Sequence, residues 1–325
     1  MSEGVASAEL VTRLAAPILD SRSVVRVERL AGGSKKGVYR LGLDDSSSVV
    51  MYLWRPEENY WPVRSGSEPS GPLDDASGLD LFVGSHQVLL AAGIGVPSLL
   101  GWSAPSPDVG FALVEDLTGG PLEALLQTDG ADAEAALQLF GADLKRMHAL
   151  ASPRCGKVTD PNRSAATSAL PEDIVMARAV DDLRFAADQV PELRQVEPAV
   201  EAALGRRREG IQPRHDFHLV HGELGPDHVL LSRENVPVLI DIEGVMFFDV
   251  EWEHVFLQIR FGSWYSRLQA PELDPDRLRF YRLALYLSLV AGPLRLLQGD
   301  FPDRAPMLRI AQVNLGRVLH EMAAS

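Results

Sequence analysis

The segment Leu219–Leu231, LVHGELGPDHVLL, sets His221, Glu223 and His228 among apolar residues. Val238–Gly244, VLIDIEG, adds Asp241 after a short spacer. Polar groups pinned by hydrophobic runs require either mutual hydrogen bonding or a ligand, because a charge buried alone is strongly unfavourable. Glu223 and His228 are five positions apart, and Asp241 lies thirteen beyond His228. A loop carboxylate, a second ligand shortly after it and an Asp leaving a short strand form a set suited to phosphoryl transfer. One group orients the nucleophilic hydroxyl, and the others hold Mg²⁺ against the charge of the migrating phosphate. A competing pattern is His215, His218 and His221 in HDFHLVH, a local spacing that zinc sites use. That segment is strand-like, however, and in a strand positions i and i+3 face opposite sides.

These residues must be positioned by elements legible in the pattern. Ser7–Leu19 is apolar on one helical face through Leu10, Leu14 and Ile18. Val24–Leu30, Gly37–Leu43 and Ser48–Trp54 follow as strands joined by the short polar connections AGGSKKG and DDSSS, which implies an antiparallel meander. Residues 55–79 carry Pro56, Pro62, Pro69 and Pro72 and are expected to form a surface loop, followed by a helix over about Leu79–Ala92. Gly110–Leu117 is a further strand. Beyond it, 121–150, 171–209, 248–297 and 303–324 show helical periodicity, interrupted by the strand-like HVLLS and PVLIDI. A sheet-rich part, 1–117, therefore precedes a helical part, 118–325, with a hinge near Leu117–Pro121.

Composition narrows the class. The 325 residues are 46% hydrophobic and 23% charged, enough apolar material for two lobes sharing a cleft. A net charge of -14 argues against nucleic acid, whose binding needs a basic face, and fits poorly with an anionic membrane surface. No apolar stretch approaches the ~18 residues of a membrane span. The single cysteine, Cys155, and an N-terminus unlike a signal peptide lead us to expect a cytoplasmic protein. The GRRRE run (205–209) is expected to be a solvated helix end, and Asp227 and Glu243 to be solvated or structural.

The catalytic segment, HGELGPDHVLL followed by LIDIEG, resembles the aminoglycoside phosphotransferase family, whose signature is close to H-G-D-L-H-P-x-N-V-L and then I-D-W/F-E. Further segments resemble the family in the same order: GVPSLLGWS, FALVEDLTGGPL, LKRMHAL and GVMFFDVEWEH, with Asp249 and Glu253 at its recurring acidic positions. The resemblance implies an α+β, bilobal protein-kinase-like fold with a small antiparallel sheet lobe and a large helical lobe. It also implies transfer of the γ-phosphate of ATP or GTP, with Mg²⁺, to a hydroxyl of a small molecule such as an antibiotic or metabolite. Glu223 would be the catalytic acid, His228 and Asp241 the metal ligands, and His221 a structural residue. Glu115 and Leu117 would offer backbone groups to the base. An acid in FDVEWEH or elsewhere in the helical lobe would receive a cationic acceptor.

Three departures stand out. Glu223 replaces the family's Asp, and His228 its Asn, as in macrolide phosphotransferases. The strand VVMYLWRP has no Lys to lie over the phosphates, leaving Arg55, Lys35 or Lys36 as replacements. The helix that should supply its Glu partner offers, over LFVGSHQVLL, only His86 and Gln87. AGGSKKG is either a turn covering phosphates or an ordinary hairpin with a basic tip. The alternative function is a catalytically silent, kinase-like binding protein.

Overall fold

Alternation with a period of two along 24–54 lets each strand bury one or both faces, and this patterning sets the architecture. The computed structural model describes residues 5–62, 71–73, 76–128, 130–159, 170–270 and 272–323. Its elements are α1 (Ala8–Ala15), β1 (Val24–Arg29), β2 (Gly37–Leu43), β3 (Ser48–Trp54), α2 (Leu79–Ala91), β4 (Leu99–Ser106) and β5 (Val109–Glu115). Then come α3 (Leu122–Leu126), α4 (Ala131–His148), β6 (Ala151–Ser152), β7 (Gly156–Lys157), α5 (Pro171–Gln189), α6 (Pro191–Glu209) and β8 (Phe217–Val220). β9 (Val229–Leu231), β10 (Pro237–Leu239), β11 (Met246–Phe248), α7 (Val250–Phe261), α8 (Pro275–Leu296) and α9 (Arg304–Ala323) complete the chain. No described helix is long and apolar enough to cross a membrane.

The chain divides into two compact units, the first comprising Met1–Trp61, Ala76–Arg146 and Pro226–Gly244. Its five-stranded antiparallel sheet has the order β1-β2-β3-β5-β4. One face is closed by α1, whose Val11 and Ala15 pack with Leu19, Tyr39, Leu41, Met51, Leu53 and Leu113. The other face of β3 presents Tyr52 and Trp54 to Phe82 of α2, with ring centroids 5.4 and 5.5 Å apart. Burial on both faces explains why β3 is a continuous apolar run rather than an alternating one. A separate hairpin pairs β9 with β10, Val229 opposite Leu239.

The second unit comprises Pro62–Asp75, Met147–Gly225 and Val245–Ser325. Helices α5 to α9 bury Leu183, Leu204, Trp252, Phe280, Leu287 and Val318 in one core. A four-stranded sheet of order β6-β8-β11-β7 adjoins it.

The strands expected over 24–54 and 110–117 and the helix over 79–92 form. The first helix is shorter than expected and stops at Ala15, because Pro17 cannot continue it. Part of the proline-rich stretch, residues 63–70 and 74–75, lies outside the described residues. β8 forms within the strand-like HDFHLVH, and the expectation that otherwise only HVLLS and PVLIDI interrupt the helical part is corrected: β6, β7 and β11 also form there. Two of them are only two residues long, too short to show a period.

Candidate functional site

The β9–β10 hairpin explains how residues thirteen positions apart become neighbours. Its register puts Val229 opposite Leu239, and the Ile240 N–H donates to the His228 carbonyl at 3.0 Å, extending the ladder by one step. Asp241, one residue further, then stands beside the His228 side chain, with Oδ2 3.6 Å from Nε2. Asp241 adopts φ +58°, a left-handed conformation that non-glycine residues rarely hold and that Asp tolerates better than most. The two groups seen first in the sequence, His228 and Asp241, are thus brought together within the first unit.

The cation beside them comes from the β1–β2 connection. Lys36 Nζ donates to Asp241 Oδ1 at 2.6 Å and to Glu243 Oε1 at 2.5 Å. Its ammonium also lies 5.0 Å from the Tyr52 ring centroid and 5.9 Å from that of Trp54. Lys36 and Glu243 side chains are 8% and 5% exposed, whereas Asp241 is 49% exposed. Burial by itself works against the ammonium, but the charges of Asp241 and Glu243 together outweigh it and raise the Lys36 pKa. Glu243, expected to be solvated or structural, is buried and bound to Lys36. The polar residue inside IDIEGVM was its only signal.

The other replacements have different partners. Arg55 Nε donates to Glu57 at 2.6 Å, and the Lys35 ammonium lies 5.4 Å from the Trp61 ring centroid. On α2, His86 Nε2 is 2.8 Å from the Pro97 carbonyl, which turns that residue toward the helix's own connection. Glu115 ends β5, and its side chain accepts from the Ser98 N–H at 2.8 Å. Leu117 lies half-buried just beyond β5.

Glu223 belongs to the second unit, on the loop leaving β8. Helix α7 holds that loop: the His221 N–H donates to Glu253, and Trp252 Nε1 donates to the Gly222 carbonyl at 3.1 Å. Gly222 has φ +96°, so the turn before Glu223 favours glycine. Leu224 is fully buried, which pins the backbone, while Glu223 itself is an exposed residue.

The expectation that an acid of FDVEWEH receives a cationic acceptor is corrected. Asp249, Glu251 and Glu253 are all fully buried. Asp249 accepts from Arg277 and Tyr281, Glu251 accepts from Arg214 at 2.9 Å, and Glu253 caps His221. Their partners, Arg277, Arg214 and His221, are remote in sequence, so no local pattern showed that these acids are neutralised inside the fold. Among the described residues, no group of three or more His, Cys, Asp or Glu is arranged to hold a metal, so the zinc pattern does not assemble. His218 Nδ1 lies instead 2.7 Å from the His148 carbonyl.

The family model for the phosphotransferase enzyme family matches residues 26–291. No curated protein matches the chain. Among solved structures, aminoglycoside phosphotransferase APH(4)-Ia is 16% identical with a TM-score of 0.62, covering 95% of this chain and 98% of its own. Spectinomycin phosphotransferase APH(9)-Ia, solved with ADP and spectinomycin, is 14% identical with a TM-score of 0.61, covering 94% of each chain. A putative fructosamine-3-kinase from Thermobifida fusca is 22% identical with a TM-score of 0.50, covering 95% and 98%. At these identities the likeness shows the fold, a kinase-like one with a small antiparallel sheet lobe and a helical lobe. With the family's model matched across most of its length, the chain belongs to the phosphotransferase enzyme family.

Proposed function

We propose that the protein is a small-molecule kinase that moves the γ-phosphoryl group of ATP or GTP to a hydroxyl of a metabolite or antibiotic-like acceptor. The observation that carries this is the pairing of His228 with Asp241 at the open end of the β9–β10 hairpin, with Asp241 half-exposed in a left-handed conformation. A strained polar residue held in place by a ladder is a functional signal when its chemistry fits. Mg²⁺ is commonly held by one or two carboxylates together with substrate phosphates, and a carboxylate beside a neutral imidazole nitrogen fits that donor set. When bound, the metal would neutralise charge on the transferring phosphate.

The chain's own residues supply the rest. Asp241, whose side chain is half-exposed, and His228 would hold the cation. Glu223, on its anchored loop, accepts the acceptor hydroxyl's proton or fixes its direction of attack. Glu115 and Leu117, at the end of β5, are the proposed contacts for the base through their backbone groups. The ADP and spectinomycin bound by a structural neighbour support a nucleotide and a small hydroxyl compound as the ligand classes.

A second reading has its own support. β3 carries no lysine and Glu223 replaces the family's Asp, both of which suit a silent binding protein. A coupled assay of ADP release across a panel of hydroxyl compounds, with Mg²⁺-dependent thermal stabilisation by ATP or GTP, separates the two. The kinase reading expects turnover on some acceptor and a metal-dependent shift that Asp241→Ala abolishes. A shift that survives Asp241→Ala sinks the metal assignment, and its absence in the wild type favours the silent reading.

A further inference from the structure

Phosphoryl transfer places several negative charges in one spot, and a fixed cation from the sheet normally shares that load with the metal. β3, SVVMYLW, has no such residue, and its face toward α2 is filled by Tyr52 and Trp54. Helix α2 carries no glutamate. Yet an ammonium lies over the Tyr52 ring, supplied by Lys36.

The connection that delivers it is tightly built. A Cβ on Gly33 would lie 2.2 Å from the Lys36 carbonyl oxygen, and one on Gly37 would lie 2.6 Å from the Tyr39 ring and 2.8 Å from the Glu58 carboxyl carbon. A side chain at Gly33 would therefore run into backbone, and one at Gly37 would have to displace the buried Tyr39 and Glu58 side chains. Between the two glycines, the Tyr60 N–H donates to the Ser34 carbonyl at 2.9 Å, Trp61 Nε1 donates to Ser34 Oγ at 3.0 Å, and Ser77 Oγ donates to the Lys35 carbonyl at 3.3 Å.

We infer that Lys36 is the phosphate-binding lysine of this chain, delivered from the β1–β2 connection to the place a strand lysine would fill, with Glu243 as its anchoring carboxylate. The inference rests on the phosphotransferase reading. Its two carboxylates are unequal: Glu243 is buried with Lys36, while Asp241 is half-exposed. Glu243 keeps the ammonium in place, and Asp241, the more exposed of the two, is the carboxylate that would face a divalent cation. An ammonium has three N–H donors, so with two directed at the carboxylates one remains for a phosphate oxygen. The arrangement also gives Glu243 the part that a helix glutamate would otherwise play.

The test is calorimetric titration of the full chain with Mg-ADP, Mg-GDP, adenosine and guanosine. Because Lys36→Met alone would strand the Glu243 charge, Lys36→Met/Glu243→Gln is compared with Glu243→Gln. A charge-assisted hydrogen bond to phosphate corresponds to roughly 10–100-fold in affinity. The expected result is about that loss for the nucleoside diphosphate, with nucleoside binding changed less than about twofold. Equal diphosphate affinity in the two variants overturns the inference. So does a loss of diphosphate binding in Lys35→Met or Arg55→Met while the Lys36 variant keeps it. Failure of the wild type to bind any of the four ligands defeats the phosphotransferase reading itself, and this inference with it.

Discussion

At the residue scale, Glu223 is the most exposed departure from the family pattern, and its setting makes the extra methylene testable. The loop before it cannot drift, because Glu253 accepts from the His221 N–H and Trp252 holds the Gly222 carbonyl. Shortening Glu223 to Asp therefore withdraws the carboxylate by about one bond length while the backbone stays. A displacement of ~1 Å in a reacting group costs roughly 100-fold in rate. Glu223→Asp is expected to lower kcat by about that factor and leave Mg-ADP affinity unchanged. Faster turnover in steady-state kinetics would show that the loop is built for the shorter acid and that the longer Glu223 marks a decayed site rather than a tuned one. His228 and Asp241 were legible because their spacing is a local property of two adjacent strands. Lys36 was not singled out from Lys35, since consecutive residues in a turn carry no periodicity to say which one faces inward.

At the element scale, the β9–β10 hairpin is the device that sets the metal-binding candidates side by side, and it is seated by close backbone contacts. The Leu239 N–H donates to the Gly95 carbonyl at 2.8 Å, and a Cβ at Gly95 would lie 2.6 Å from the Pro237 carbonyl oxygen. Backbone cannot yield as a side-chain tip can, so Gly95→Ala must push β10 away. Overpacking of this kind costs about 1–3 kcal/mol. The variant is expected to have a lower urea midpoint and, because Asp241 follows β10, a weaker Mg²⁺-dependent stabilisation by nucleotide. A lowered midpoint with an unaltered nucleotide shift would show that the hairpin's seat does not position Asp241. The strands of this hairpin were readable from HVLLS and PVLIDI, as was the meander from its alternation. β6 and β7 were not, for a two-residue strand is defined only by its partner. The acids of FDVEWEH misled for a related reason: Arg277 and Arg214 neutralise them across 28 and 37 positions, and no local pattern announces such pairs.

At the scale of the whole molecule, the chain's acidity suggests tolerance of low pH through lost repulsion, but two buried imidazoles work the other way. His148 ends α4 and His254 lies on α7, their ring centroids 5.4 Å apart, and among the described residues neither Nε2 has a hydrogen-bond partner. Burial, then the charges of His254 and His218, pushes the His148 pKa down to about 3, and burial pushes His254 down to about 4. Both values lie below the 6.5 of an unfolded chain, so the unfolded state binds more protons between pH 6.5 and roughly 3 to 4. Stability from keeping these rings neutral is therefore complete above pH 6.5 and is lost as the pH falls toward 4. Replacing His254 with Phe keeps a ring in the space and removes the proton site. His254→Phe is expected to show a shallower fall of urea midpoint than the wild type between pH 6.5 and 4.5, whatever its midpoint at pH 8. Parallel curves for the two proteins over that interval would mean that His254 is not held neutral by the fold.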